Sequence, residues 1–115
     1  MPKRSVTLRL DDMIEAMARV REVLGDLPLE ALEADWQRQW LMQRGIEIIS
    51  EASRHLPQAM KTRHPGIPWT KVAGIGNVLR HEYQGLSDPI IWKVVTHELP
   101  RLKLAIRAID AALEE

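Results

Sequence analysis

Apolar residues recur along this sequence at the three- and four-residue spacing of an α-helix, and this periodicity restricts the possible folds more than any other feature. Near the N-terminus one stripe is formed by Leu10, Met13, Ile14, Met17, Val20 and Leu24. Such a set lies on one face of a helix with 3.6 residues per turn. No run alternates apolar and polar residues for long enough to indicate a β-strand. The sequence therefore predicts an all-α chain.

Glycine and proline residues give the bounds of the first two predicted helices. Gly25, in the sequence Gly-Asp-Leu-Pro, is typical of a helix C-terminus followed by a loop. The second helix is expected to begin near Asp35 and to run to about Lys61. It ends before residues 63–68, where two prolines flank a glycine.

Two further helices are predicted in the C-terminal half. The third opens after Pro68, since proline suits a first helical turn, and stops at Gly85. The fourth begins at residues 87–89, where a capping side chain precedes a proline, and is expected to kink at Pro100 because proline lacks a backbone donor. Together the four main helices predict an up-and-down bundle in one domain, residues 1–115.

Composition excludes several classes of function. Sixteen Lys and Arg residues balance sixteen Asp and Glu residues, so no global basic field exists to hold nucleic acid, and any such contact must be local. The absence of cysteine excludes disulfides and thiolate metal sites. No apolar run approaches the roughly 18 residues that a membrane span requires, and no signal peptide is evident. A cytoplasmic location is expected. The small core of a 115-residue chain also favours self-association.

The segment Asn-Val-Leu-Arg-His-Glu-Tyr, residues 77–83, concentrates polar side chains near the end of the third predicted helix. Asn77 and His81 are four residues apart and share one side of it, whereas Gly76 and Tyr83 lie on another. A glycine inside a helix costs roughly 1 kcal/mol relative to alanine. Gly76 therefore calls for an explanation, and close approach of a neighbouring group is one.

The order of residues 67–103, "IPWTKVAGIGNVLRHEYQGLSDPIIWKVVTHELPRLK", resembles the HepT family, a branch of the HEPN helical domains. The segments "RGIEIISEASRHLP" and "LRLDDMIEAM" are similar to the family's second and first helices, so the resemblance covers most of the chain. It implies a ribonuclease toxin encoded beside an MNT-type nucleotidyltransferase antitoxin. It also implies a homodimer with a composite active site.

The family motif R-x(4)-H-x-Y matches this sequence in part. His81 and Tyr83 occupy the histidine and tyrosine positions, but Gly76 occupies the arginine position. Arg80 lies one helical turn after Gly76, although that spacing is not the motif's. By resemblance, His81 is the general base, Tyr83 receives AMP from the antitoxin, and Asn77 and Arg80 are candidate phosphate contacts. No cofactor and no metal are expected.

Three of the site residues also have a structural interpretation. His81 can stabilise the C-terminal end of a helix dipole, Tyr83 can be a core aromatic, and Arg80 can be a surface residue. A binding protein that retains the nucleotidyltransferase interface, but has lost cleavage together with its arginine, is the alternative function. His55, His64 and His97 with Glu98 are too scattered for metal ligation.

The four tryptophans have a separate interpretation. Trp36, Trp40, Trp69 and Trp92 can stack on bases. Trp40 and Trp92 fall near apolar stripes, which favours packing or interface roles. Trp69, beside Pro68, is predicted to anchor the start of its helix.

Overall fold

The computed structural model describes residues 3–81 and 88–114, and all of the regular structure in these ranges is helical. The elements are α1 (Lys3–Leu24), α2 (Leu29–Glu33), α3 (Trp36–Arg54), α4 (Gln58–Thr62), α5 (Trp69–His81), α6 (Asp88–Lys93), a π-helical turn (Val94–Glu98) and α7 (Leu99–Glu114). The predicted all-α class is confirmed. The long helices are compatible with a helical bundle, and no helix in the described ranges is long and apolar enough to cross a membrane.

The core lies between α1, α3 and α7, and α5 packs on α3. Among the described residues, its largest fully buried side chains are Val6, Leu10, Met13, Val20, Leu24, Leu32, Met42, Ile46, Ile49, Ile91, Val95 and Ile106. Gly45 brings α1 and α3 close together, because a Cβ atom at this position would overlap Cγ2 of Val20. The apolar periodicity of the sequence thus corresponds to the buried faces of these helices.

Specific side chains and backbone groups determine the ends of the first helices. Gly25 has a φ of 56° and donates its N–H to the Arg21 carbonyl at 2.9 Å, so α1 ends where the sequence predicts. Asp35 caps α3 by accepting the Arg38 N–H at 3.1 Å. That hydrogen bond, and the Arg38 guanidinium at 2.5 Å, lower the pKa of the Asp35 carboxyl.

The predicted C-terminal end of the second helix, near Lys61, is wrong. α3 stops at Arg54, and the separate short helix α4 follows from Gln58. Pro57 explains the break, because proline disfavours helical backbone in the residue before it and cannot donate to the preceding turn. Leu56, which precedes it, is buried in the core.

Pro100 lies at the start of α7, immediately after the π-helical turn. The Leu99 N–H donates to the Val94 carbonyl, a spacing of five residues in place of four. The irregularity that the sequence predicts near Pro100 therefore takes the form of a widened turn. The predicted end of the third helix at Gly85 and the predicted cap at Ser87 lie outside the described residues.

Candidate functional site

The helix α5 carries the candidate site and is anchored at its first turn. The indole Nε1 of Trp69 donates to the carbonyl oxygens of Lys61, at 3.0 Å, and of His64, at 3.1 Å. The Val72 N–H donates to the Pro68 carbonyl at 3.0 Å and so begins the helical pattern. The predicted anchoring role of Trp69 is confirmed.

Three of the five predicted site residues are exposed together at the C-terminal end of α5. Asn77, Arg80 and His81 all face solvent, and the Arg80 guanidinium donates to Oδ1 of Asn77. An amide, a guanidinium and an imidazole thus lie within two helical turns of one another. The predicted AMP acceptor, Tyr83, lies outside the described residues.

Gly76 does not belong to this exposed group. It is buried, and its N–H donates to Oγ of Ser50 at 3.4 Å. A Cβ atom here would lie 3.3 Å from Ser50 Oγ and 3.7 Å from Cα of Glu47. The close approach expected at Gly76 is therefore made by α3 of the same chain.

The Ala73 carbonyl is the main polar junction between α3 and α5. It accepts a hydrogen bond from Oγ of Ser50 at 2.7 Å, and two from Arg54, whose Nε and Nη2 lie at 3.0 and 2.7 Å. Arg54 also contacts Glu51 at 3.3 Å. Sequence reasoning missed this junction, although the spacing of four between Ser50 and Arg54 places them on one helix face.

Other polar candidates from the sequence remain separate. The imidazole of His55 lies 3.1 Å from Glu51, and this hydrogen bond lowers the pKa of the Glu51 carboxyl. Within residues 3–81 and 88–114, no three His, Asp or Glu side chains form a group that could hold a metal ion. Of these candidates, His55 therefore contributes a hydrogen-bonded pair with Glu51.

The tryptophans divide into packed and exposed pairs. Trp92 packs on the core and its Nε1 donates to the Leu27 carbonyl at 3.1 Å, so its predicted packing role is confirmed. Trp40 is 62% exposed and Trp36 53%, with ring centroids 4.9 Å apart in an edge-to-face arrangement. Of the packing or interface role predicted for Trp40, packing in the core of this chain is wrong, because its position on α3 lies outside the buried stripe; the interface role stays a prediction.

Asp88, the first residue of α6, is a buried carboxylate that sequence reasoning did not single out. The residue is only 1% exposed, and neither carboxyl oxygen accepts a hydrogen bond from the residues that the structure describes. Burial raises the pKa of this carboxyl, and the negative charge of Glu33 raises it further. Within the described part of α6 the carboxyl thus makes no cap bond, which differs from the usual role of aspartate at a helix start.

The chain belongs to the HepT-like family: the model described as "Ribonuclease HepT-like" matches residues 13–109. It is 36% identical to "Probable ribonuclease HepT" from Thermococcus cleftensis, over 88% of this chain and 92% of that protein. It is 29% identical to "Putative RNase MJ1380" from Methanocaldococcus jannaschii, over 95% of this chain and 100% of that protein. A comparison with solved structures finds no significant match.

Proposed function

We propose that this chain is a metal-independent RNA endonuclease whose active site is formed by two copies of one domain, residues 1–115. The observation that carries the proposal is the exposed end of α5, where His81 lies beside Asn77 and Arg80 in a chain of the HepT-like family. These groups face solvent, so a phosphodiester can reach them without unfolding the helix.

RNA cleavage without a metal requires a base for the 2′-hydroxyl proton and a cation for the charge on the phosphoryl oxygens. His81 is the base, since a neutral imidazole has a ring nitrogen that can accept a proton. The 2′-oxygen then attacks phosphorus, the bond from phosphorus to the 5′-oxygen breaks, and the departing 5′-oxygen takes a proton from solvent water. The products are a 2′,3′-cyclic phosphate and a 5′-hydroxyl. Arg80 and Asn77 bind the phosphoryl oxygens, because a guanidinium stays charged and an amide donates hydrogen bonds.

Geometry along α5 supports a site shared by two chains. Positions 76 and 81 are about 140° apart around the helix axis. Position 76 faces Ser50 and Glu47, and a helical side chain tilts towards the N-terminus of its own helix, away from His81. A side chain at 76 and His81 of the same chain therefore diverge, so these two positions can act on one phosphate only if they come from two copies related by a two-fold axis.

The active site lacks its motif arginine, so we infer slow cleavage. Removing one preorganised donor to transition-state charge commonly reduces the rate by about 10²–10³-fold. Arg80 offers a cation, but it lies one turn later than the motif position, and its guanidinium donates to Asn77.

As part of the same proposal, the protein is the toxin of a cytoplasmic toxin–antitoxin pair. An MNT-type nucleotidyltransferase is the antitoxin and attaches AMP to Tyr83. The adenylyl group would place bulk and negative charge two residues from His81, where RNA must bind. This partner follows from the family resemblance, and the proximity of Tyr83 to His81 in sequence supports it.

The contact between position 76 and α3 favours a second candidate function. Gly76 is buried against Ser50, so α5 packs on α3 with a glycine, and not the motif arginine, at this position. A protein that binds the nucleotidyltransferase and no longer cleaves RNA is compatible with that packing.

The test is incubation of the purified protein with a mixed RNA pool in the presence of a metal chelator. We expect slow cleavage that leaves 2′,3′-cyclic phosphate and 5′-hydroxyl ends, and sedimentation of a dimer at micromolar concentration. No cleavage by a folded dimer, together with tight binding of the nucleotidyltransferase, would favour the second candidate. A monomer would reject the shared site.

A further inference from the structure

We infer that Trp40 and Arg44 of α3 form a binding surface for single-stranded RNA that leads to His81. This inference rests on the proposed ribonuclease function and adds a substrate-binding region to it. We call these two residues, with Trp36, the α3 track. They follow one another at intervals of four residues along an exposed side of the helix.

The contacts between α3 and α5 show how the two helices are aligned. Ala73 of α5 contacts Arg54, whereas Gly76, three residues later on α5, lies against Ser50 and Glu47, which come earlier on α3. From one contact to the next, residue numbers decrease along α3 while they increase along α5, so the two helices run antiparallel. His81 is five residues beyond Gly76 on α5. Because both helices rise about 1.5 Å per residue, the same distance along α3 corresponds to about five residues towards its N-terminus. His81 is therefore level with residues 42–45.

The rotation of α3 places the track beside the exposed end of α5. Glu47, Ser50 and Arg54 lie on the side of α3 that faces α5. A spacing of four residues advances about 40° beyond one full turn. Trp36 lies at the same angle around α3 as the residues that face α5. Trp40 lies about 40° further around the helix and Arg44 about 80°, so these side chains point increasingly away from α5. Arg44 thus lies level with His81, on the flank that both helices expose.

The chemistry of the track suits a nucleotide strand. Trp40 is 62% exposed and meets Trp36 edge to face, which leaves ring surface available for a base. The side chain of Arg44 is 71% exposed, and its ion pair with Glu47, at 3.6 Å, is long. Such an exposed pair holds a guanidinium weakly, so Arg44 is free to bind a phosphate. A base stacks on the tryptophan and the phosphate one turn further along contacts the arginine.

Charge distribution favours RNA over a protein partner at this surface. Apart from the two tryptophans and Leu41, the exposed residues of α3 are all polar or charged: Gln37, Arg38, Arg44, Glu51 and Arg54. The centre of a stable protein interface is depleted in charged residues. Aromatic rings followed by a cation are instead the combination that proteins use to bind single strands.

The test uses a fluorescently labelled single-stranded oligonucleotide whose 2′-oxygens are methylated, so that it binds but cannot be cleaved. Fluorescence anisotropy measures its affinity for the full-length protein over a range of salt concentrations. Trp40→Leu keeps the apolar bulk without an aromatic face, and Trp40→Phe restores a face. Arg44→Gln removes the cation. Leu104→Ala and Arg107→Gln, both exposed on α7, are the matched controls.

We expect Trp40→Leu and Arg44→Gln each to weaken binding by about tenfold, while Trp40→Phe and both controls stay near the original affinity. Arg44→Gln also reduces the slope of log affinity against log salt by about 0.7, as expected for one lost phosphate contact on a single strand. Binding of this kind by a protein that does not cleave RNA would support the track and reject the ribonuclease function.

Three results would overturn the track. The first is unchanged affinity in Trp40→Leu and Arg44→Gln, even where His81-dependent cleavage is intact. The second is the absence of oligonucleotide binding by the unaltered protein. The third is a change of oligomeric state on sedimentation of Trp40→Leu without a change in RNA affinity, which would identify the surface as a contact between protein copies.

Discussion

Gly76 donates its backbone N–H to the hydroxyl oxygen of Ser50 at 3.4 Å, and that hydroxyl donates in turn to the Ala73 carbonyl at 2.7 Å. The position that carries an arginine in the family motif is therefore part of the packing between α3 and α5. Any side chain introduced there must be accommodated by Ser50, which is itself buried.

Restoring the motif arginine is expected to raise RNA cleavage. A Cβ atom at position 76 would lie 3.3 Å from Ser50 Oγ, which is tight, so Gly76→Arg is best combined with Ser50→Ala. The double variant should recover much of the roughly 10²–10³-fold that a lost charge-stabilising donor costs. Initial rates on a mixed RNA pool, with circular dichroism to verify folding, measure the effect.

Two controls belong to that experiment. Adding His81→Ala should return the rate to background, because a cation alone does not remove the 2′-hydroxyl proton. Arg80→Gln in the original chain should reduce cleavage strongly only if Arg80 already replaces the missing arginine. If the folded, dimeric double variant is no faster than the original, the partner-binding function is preferred.

Gly45→Ala is expected to destabilise the fold by about 1–3 kcal/mol, as overpacking of a core does. The added methyl would overlap Val20 where α1 and α3 are closest. Gly74→Ala is the matched control, since a Cβ atom there meets no atom within 4 Å. It should stabilise by up to about 1 kcal/mol through helix propensity. Urea denaturation measures both, and equal free energies of unfolding would contradict the close packing.

Much of this architecture follows from the sequence, because the helices bury regular apolar faces. The start of α3 at Asp35 and the end of α1 at Gly25 rest on local capping chemistry, which residue identity largely determines. The break at Pro57 was missed, since apolar residues on both sides continue the helical spacing. The grouping of Asn77, Arg80 and His81 was predictable from one helix.

Contacts between helices were not predictable in the same way. The burial of Gly76 against Ser50 joins residues that are 26 positions apart, and no local pattern encodes that pairing. The exposure of Trp40 depends likewise on which side of α3 the neighbouring helices cover. The isolated carboxyl of Asp88 results from packing that a capping pattern does not reveal.

Asp88 should make the stability depend on pH. Its pKa is raised in the folded state by burial and by Glu33, above the usual value of about 4. At pH values between the pKa of the unfolded chain and the higher pKa of the folded protein, folded Asp88 holds a proton that the unfolded chain has lost. The free energy of unfolding therefore falls as pH rises through this range. Asp88→Asn should therefore stabilise the protein at pH 7, by about 1 kcal/mol, and have little effect near pH 3.

Denaturation at the two pH values measures the effect of Asp88→Asn. Asp11→Asn, which alters an exposed carboxylate on α1, should change stability by less than about 0.5 kcal/mol at either pH. A loss of stability in Asp88→Asn at pH 7 would mean that the charged carboxylate is favourable in the folded state, contrary to its isolation.

Tyr83 is expected to accept AMP from the cognate nucleotidyltransferase in the presence of ATP. Intact-mass analysis after co-incubation should show the mass of one adenylyl group per modified chain, and Tyr83→Phe should abolish it. The modified protein should also lose RNA cleavage, since the added phosphate repels the substrate. An adduct that persists in Tyr83→Phe would assign the modification elsewhere.

His81 is expected to act as the base of an RNA-cleaving site. The most direct test of this role compares the cleavage rates of the original protein, His81→Ala and His97→Ala in the presence of a metal chelator. His97 is an exposed histidine in the π-helical turn and has no assigned part in catalysis. We expect measurable cleavage by the original protein and by His97→Ala, and background cleavage by a folded, dimeric His81→Ala. Equal rates in all three proteins would contradict it.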